Sequence, residues 1–114
     1  MNYEELAMQL ILHGGNARGL AYEALDHAEN YEFDEADKLL QQANDEFLEG
    51  HKYQTQLIQI QDKENEKDIP IFIIIHAQDH VMTAQAELQL IKRMVNELKK
   101  TAELEKRLEK LENK

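Results

Sequence analysis

The sequence predicts an all-α protein, a bundle of three antiparallel helices forming a single domain over residues 1–114. Three observations predict it. Apolar residues recur at alternating steps of three and four along three separate stretches, the period of one face of a helix. One Pro and four Gly are too few for a turn-rich β chain. Ile71 to Ile75 is the one run with strand-like composition, and a lone strand has no sheet to join.

The first helix is read from Leu6, Leu10, His13, Ala17, Leu20 and Ala24. Asn2 followed by Glu5 is a capping-box pattern and sets the start near Tyr3. Gly14-Gly15 lies inside this helix, where each Gly costs about 1 kcal/mol relative to Ala, so a close helix contact or a local irregularity is expected there. The helix ends around Asn30. The second helix runs from Asp34, as N-cap, to about Asp62, with Ala36, Leu40, Ala43, Phe47, Gly50, Gln54 and Leu57 on one face. Ala43 and Gly50 are small enough to let another backbone approach. Asp62 to Asp68 has no apolar residue and reads as a solvated helix end followed by a loop.

The third helix starts near Pro70, a residue favoured at a first helical position. Its register continues unbroken through Ala77, Val81, Ala84, Leu88, Ile91, Val95, Leu98 and Ala102. From 70 to about 110 it would be roughly 60 Å long at 1.5 Å per residue. Residues 101–114 are charged and lightly apolar, so this end is expected to fray or to stand free. Ile71 to Ile75 go more than once around the helix, an arc too wide for two neighbours to cover. Fully burying each such side chain is worth about 1.5–3 kcal/mol. A further buried seam is therefore expected, and self-association into a closed homo-oligomer with coiled-coil-like packing is its simplest source.

Composition excludes several function classes. Cysteine is absent, which removes disulfides, thiolate nucleophiles and Cys-type zinc sites and fits a cytoplasmic location. No window reaches the roughly 18 apolar residues of a membrane span, and the N-terminus lacks the features of a signal peptide. The net charge of −10 argues against nucleic acid as a partner. The charge is uneven: residues 92–114 hold eight Lys or Arg against five Glu, a net +3, which leaves −13 on residues 1–91. That basic end reads as a solvated helix face laced with i,i+4 pairs.

The segment Ile73 to Ala84, I-I-I-H-A-Q-D-H-V-M-T-A, carries the chemistry. At 100° per residue, His76, Asp79, His80, Thr83 and Glu87 share one stripe, about 100° around the helix from its packing face. Two jobs suit that stripe. Neutral imidazole, with an unperturbed pKa of about 6.5, is a nucleophile that can accept a phosphoryl or acyl group and pass it on. His76, Asp79 and His80 could instead bind a transition metal in a helical bundle; the two His have the spacing of a helical zinc site, but no Glu follows the first one. A third reading is a non-catalytic helical adaptor, which leaves the stripe unexplained. Histidines beside apolar neighbours are usually hydrogen-bonded partners, the expectation for His13 and His51, with His27 on the surface. No G-x-x-x-x-G-K-[ST] loop is present, so phosphoryl transfer would run from protein to protein.

The same segment closely resembles the signature of the lactose/cellobiose-type enzyme IIA family of the bacterial sugar phosphotransferase system (PTS). Ile11-Leu12-His13-Gly14-Gly15-Asn16-Ala17-Arg18 is similar to the family's first-helix motif. Phe33-Asp34-Glu35-Ala36 and Gly50-His51-Lys52-Tyr53-Gln54-Thr55 are similar to its second-helix motifs. Gln61-Asp62-Lys63-Glu64 departs from the family's usual loop, and the Lys/Glu-rich end from Thr101 has no strong counterpart in it. The resemblance implies a spectrin-repeat-like three-helix subunit and a nine-helix homotrimer. It implies that His76 accepts phosphate from the phosphocarrier protein HPr on Nε2 and hands it to a Cys of the cognate IIB component; Gln78 and His80, beside it in the sequence, are assigned supporting roles. It also implies that Asp79 of three subunits meets a divalent cation, Mg²⁺, on the threefold axis. Like charges about 4 Å apart repel by about 4 kcal/mol at an effective dielectric near 20, so converging carboxylates need such compensation. The protein would touch the membrane only through the IIC complex. The sugar served would be a β-linked disaccharide, cellobiose or chitobiose in preference to lactose.

Overall fold

The computed structural model describes residues 1–63 and 69–114. Three helices follow one another up, down and up: α1 (Tyr3–Glu29), α2 (Phe33–Lys63) and α3 (Ile71–Glu112). The slim bundle measures 74 × 17 × 16 Å. The predicted loop, Asp62 to Asp68, lies outside the described residues from position 64 onward. The expected end of α3 is helical through Glu112, and every side chain from Glu103 onward is exposed.

Capping residues fix the ends. Asn2 Oδ1 accepts from the Glu5 amide at 2.9 Å and starts α1. The chain reverses through Tyr31, the one non-glycine with positive φ among the described residues (62°). Such a backbone costs about 1–3 kcal/mol unless its surroundings hold it. Here the Tyr31 ring stacks on Phe33, and its hydroxyl donates to Glu105 Oε1 at 2.8 Å. That hydrogen bond to a carboxylate raises the phenol's pKa above its ordinary value. The sharp reversal also shifts the second helix. Its first hydrogen bond runs from the Ala36 amide to the Glu32 carbonyl, so Asp34 sits inside the first turn instead of capping it.

α1 packs along both other helices, which meet each other less. Its buried seam is Tyr3, Ala7, Leu10, Gly14, Ala17, Ala21, Ala24 and Ala28, joined by Leu6. This is a correction to the predicted face. His13 and Leu20 lie at the seam's edge, because a helix flanked by two neighbours places its smallest residues where both press closest. On α3 the predicted face holds: Ala77, Val81, Ala84, Leu88, Ile91 and Val95 are all buried, with Ile74 added. On α2, Ala36, Ala43, Gly50 and Leu57 are buried as expected, Leu39 joins them, and Leu40, Phe47 and Gln54 are half-buried.

The core divides into two apolar clusters. One, near the α1–α2 turn, includes Leu39, Leu88, Ile91 and Val95. The other, near the free end of α1, includes Leu6, Leu10, Leu57 and Val81. Gly14 lies between them. A Cβ added there would stand 3.2 Å from both the carbon and the oxygen of the His80 carbonyl. Gly50 is the counterpart on α2, where a Cβ would stand 3.2 Å from the Cβ of His13. Gly14→Val should therefore lower stability by about 1–3 kcal/mol, the usual range for overpacking, because the atoms it meets are backbone and cannot swing away. Urea unfolding of parent and variant measures this as a lower midpoint.

Candidate functional site

The close approach at Gly14 shapes the surface beside it. One turn further along α1, Arg18 reaches across to α3 and forms a two-pronged ion pair with Glu87: Nη2 donates to Oε1 at 3.1 Å and Nε donates to Oε2. Hydrogen bonding to this carboxylate, more than the charge attraction itself, raises the guanidinium's pKa above its ordinary value. Arg18, His76, Asp79, His80 and Thr83 line a shallow cavity of about 200 Å³ on this side of the bundle.

The two imidazoles meet inside it. His76 and His80 lie one helical turn apart with ring centroids at 4.7 Å and planes at 87°, edge to face. Their Nε2 atoms stand 3.3 Å apart. A hydrogen bond between two ring nitrogens requires a proton on one and a bare lone pair on the other. In the pair, one Nε2 lone pair accepts from the other ring's Nε2–H and is freed as a nucleophile when that hydrogen bond opens; His76 is the more exposed ring.

The remaining residues of the stripe differ in placement. Asp79 is exposed and, among the described residues, makes no hydrogen bond or ion pair. It sits at the edge of the cavity, within an exposed apolar strip that includes Ile75 and Met82. Gln78 is not brought into the cavity. It lies on the opposite flank of α3, where Gln54 Nε2 donates to its Oε1 at 2.6 Å and ties α3 to α2. Among the described residues, no group of three His, Cys, Asp or Glu is arranged to hold a metal ion.

The other histidines are tied up elsewhere. His13 Nδ1 lies 2.7 Å from Glu46 Oε2, and its ring stacks on Tyr53. His51 pairs with Gln54 at 3.1 Å and stacks on Phe47. His27 pairs with Glu32 at 3.1 Å. Sequence reasoning passed over Arg18 as a site residue. Its signal was its position four residues after Gly14, which puts it on the α3 side of α1 one turn beyond the close approach.

A helical bundle that exposes one imidazole, couples it to a second and flanks both with an arginine has the parts of a phosphotransfer protein. Residues 5–99 match the family described as "PTS system, Lactose/Cellobiose specific IIA subunit". The chain belongs to this family and is a IIA component of the cellobiose, chitobiose and lactose type. It is similar to the lichenan-specific phosphotransferase enzyme IIA component of Bacillus subtilis, with 44% identity over 81 residues, 71% of this chain and 73% of that one. Its fold matches the cellobiose-specific enzyme IIA of Bacillus anthracis with a TM-score of 0.79 and 36% identity, over 90% of this chain and 93% of the other. It also matches the IIA chain in the IIA(Chitobiose)–HPr complex of Escherichia coli, with a TM-score of 0.76 and 32% identity over 90% and 98% of the two chains. Among the described residues, no helix is long and apolar enough to cross a membrane.

Proposed function

We propose that the chain is a phosphocarrier that takes a phosphoryl group from HPr on His76 Nε2 and passes it to a cysteine of the cognate IIB component. The observation that carries this reading is the Nε2-to-Nε2 contact of His76 and His80 inside the Arg18 cavity. With the shared proton on His80, His76 keeps its Nε2 lone pair and its proton stays on Nδ1. Attack on phospho-HPr forms the P–N bond as the bond to the donor breaks, and the donor regains the electron pair. Transfer onward reverses this: a cysteine thiolate takes the phosphorus and the pair returns to Nε2. The protein's share is positioning and charge stabilisation.

A phosphorylated side chain carries roughly two negative charges at neutral pH, here on a chain whose net charge is already −10. His80 Nε2–H can turn from the imidazole to the phosphoryl oxygens. Arg18 is the cationic side chain that lines the cavity among the described residues, and its Nη1 is not used in the pair with Glu87. HPr as donor is supported by the complex known for the chitobiose IIA relative.

The assembly is a homotrimer built on the exposed strip of α3, where Phe72, Ile75, Met82 and Leu90 are between 57% and 89% exposed in the single chain. That much apolar surface on one helix calls for a partner. Asp79 lies within the strip, so three copies would bring three carboxylates together. A hard divalent cation such as Mg²⁺ suits such oxygen ligands and would offset their repulsion. The protein works in the cytoplasm. The sugar delivered by its system is a β-linked disaccharide, in keeping with relatives named for lichenan, cellobiose and chitobiose.

Incubation with phospho-HPr should add one acid-labile phosphate per chain, and His76→Ala should take up none; intact-mass measurement after brief incubation decides it, and stoichiometric labelling of the variant would refute the assignment. Arg18→Ala should still fold and still be labelled, but about tenfold more slowly, which corresponds to about 1.4 kcal/mol of transition-state stabilisation. Sedimentation of the parent should give about three times the 13.3 kDa chain mass, and Asp79→Ala should lose the bound cation by elemental analysis. A metal content equal to the parent's would remove Asp79 from the axis.

A further inference from the structure

Arg18 is held from two sides. Glu87 takes Nε and Nη2 in the two-pronged pair. The guanidinium carbon also stands 5.7 Å from the centroid of the Tyr22 ring, within cation–π reach. The Arg18 side chain is 51% exposed and that of Glu87 22%, so the pair borders solvent. Screening by water leaves such a pair a small part in stability, and the spacing of α1 and α3 is already set at Gly14. Arg18 lines the cavity together with His76, Asp79, His80 and Thr83, whereas Glu87 stands one helical turn beyond Thr83, outside the lining. The carboxylate thus grips the cavity's cation from outside the cavity.

We propose that Glu87 is a positioning residue that competes with the phosphoryl group for Arg18 and so keeps phosphorylated His76 ready to give the group up. This rests on the phosphocarrier reading above. In the unloaded chain, Glu87 engages the guanidinium through Nε and Nη2, and Nη1 is outside the pair. To grip phosphoryl oxygens with two prongs, Arg18 must leave Glu87. The strength of the pair is then subtracted from what the loaded state gains, since a site shifts an equilibrium only by the difference between its interactions with the two states. Glu87 reaches solvent, so its release leaves no buried charge. The exchange with the donor consumes nothing else. Nε2 of His76 gains its bond to phosphorus as the donor loses one, and the donor regains the electron pair. Its equilibrium constant therefore measures the loaded state directly. Glu87 also carries a negative charge that opposes a phosphoryl dianion without any help from Arg18, and the two effects separate once Arg18 is removed.

Equilibration with a mixture of HPr and phospho-HPr, read by intact mass, gives the fraction of chain loaded. Glu87→Gln keeps the shape of the side chain and removes its charge. The variant should shift the balance toward the loaded chain by about fivefold, and onward transfer to the cognate IIB should slow by a similar factor. A pair that only braced the bundle would act in the opposite sense, because its loss would loosen the site and lower loading. In an Arg18→Gln background, Glu87→Gln should change the balance by less than about twofold, since the contested group is gone. Unchanged or lower loading of Glu87→Gln, or the same shift in the absence of Arg18, would overturn the competition; with the parent still loaded, the phosphocarrier reading would stand. A parent that takes no phosphate would overturn that reading, and the role of Glu87 with it.

Discussion

The absent side chain of Gly14 is the constraint on which the site depends. A Cβ there would press within 3.2 Å of the His80 carbonyl group, so the position sets how closely α1 can lie against α3. Two consequences follow from that one distance. The backbone that carries His80 is braced from behind, which fixes the base of the ring facing His76. Arg18, one turn along, comes close enough to α3 to take Glu87 with both prongs. A larger residue at 14 would push the helices apart and loosen both at once, although it touches no reacting atom.

The same economy of side chains explains why the molecule is slim. Along α1 the seam is mostly alanine and glycine, which permits close helices but buries little apolar area per residue. Burial yields about 25 cal/mol per Å², so a seam of methyl groups stabilises less than one of leucines. Many large apolar residues instead stand on the outer side of α3, Phe72 at 89% exposed among them. Such a side chain gains little from burial within the single chain. Thin packing inside and rich apolar surface outside are two results of one distribution of residues, and both point to association.

Much of this was legible in the sequence. The α3 face could be read residue by residue because its buried positions are large and regularly spaced. The α1 face was harder: its large residues, Leu6, Leu10 and Leu20, suggest a seam slightly rotated from the real one, because hydrophobic periodicity weights Leu over Gly and Ala. The start of α2 depended on the left-handed backbone of Tyr31, a conformation that no composition rule assigns to tyrosine. His76, Asp79 and His80 were visible as a stripe, since residues on one helix have fixed relations. Arg18 was not, because its place in the cavity depends on contact between two helices 69 positions apart in the case of its pair with Glu87. Gln78 was grouped with His76 by sequence proximity, yet a difference of two residues turns it toward Gln54 on α2.

The pair of Arg18 and Glu87 bears on a requirement peculiar to a carrier. A protein that only had to bind phosphate would present the arginine free. A carrier must accept the group and release it again, so strong binding of the loaded state would slow the second transfer as much as it favoured the first; only stabilisation confined to the transition state helps both. Glu87 already occupies two of the guanidinium's donors and offsets its charge. Phosphoryl oxygens arriving on His76 would find the cation partly neutralised and held at the rim of the cavity. His80 differs: a P–N bond on His76 would use the lone pair that faces His80 Nε2 in the unloaded pair, so a proton there would be free to turn to the phosphoryl oxygens. On the proposed phosphocarrier reading, an arginine restrained by Glu87 would steady a passing phosphoryl group without trapping it.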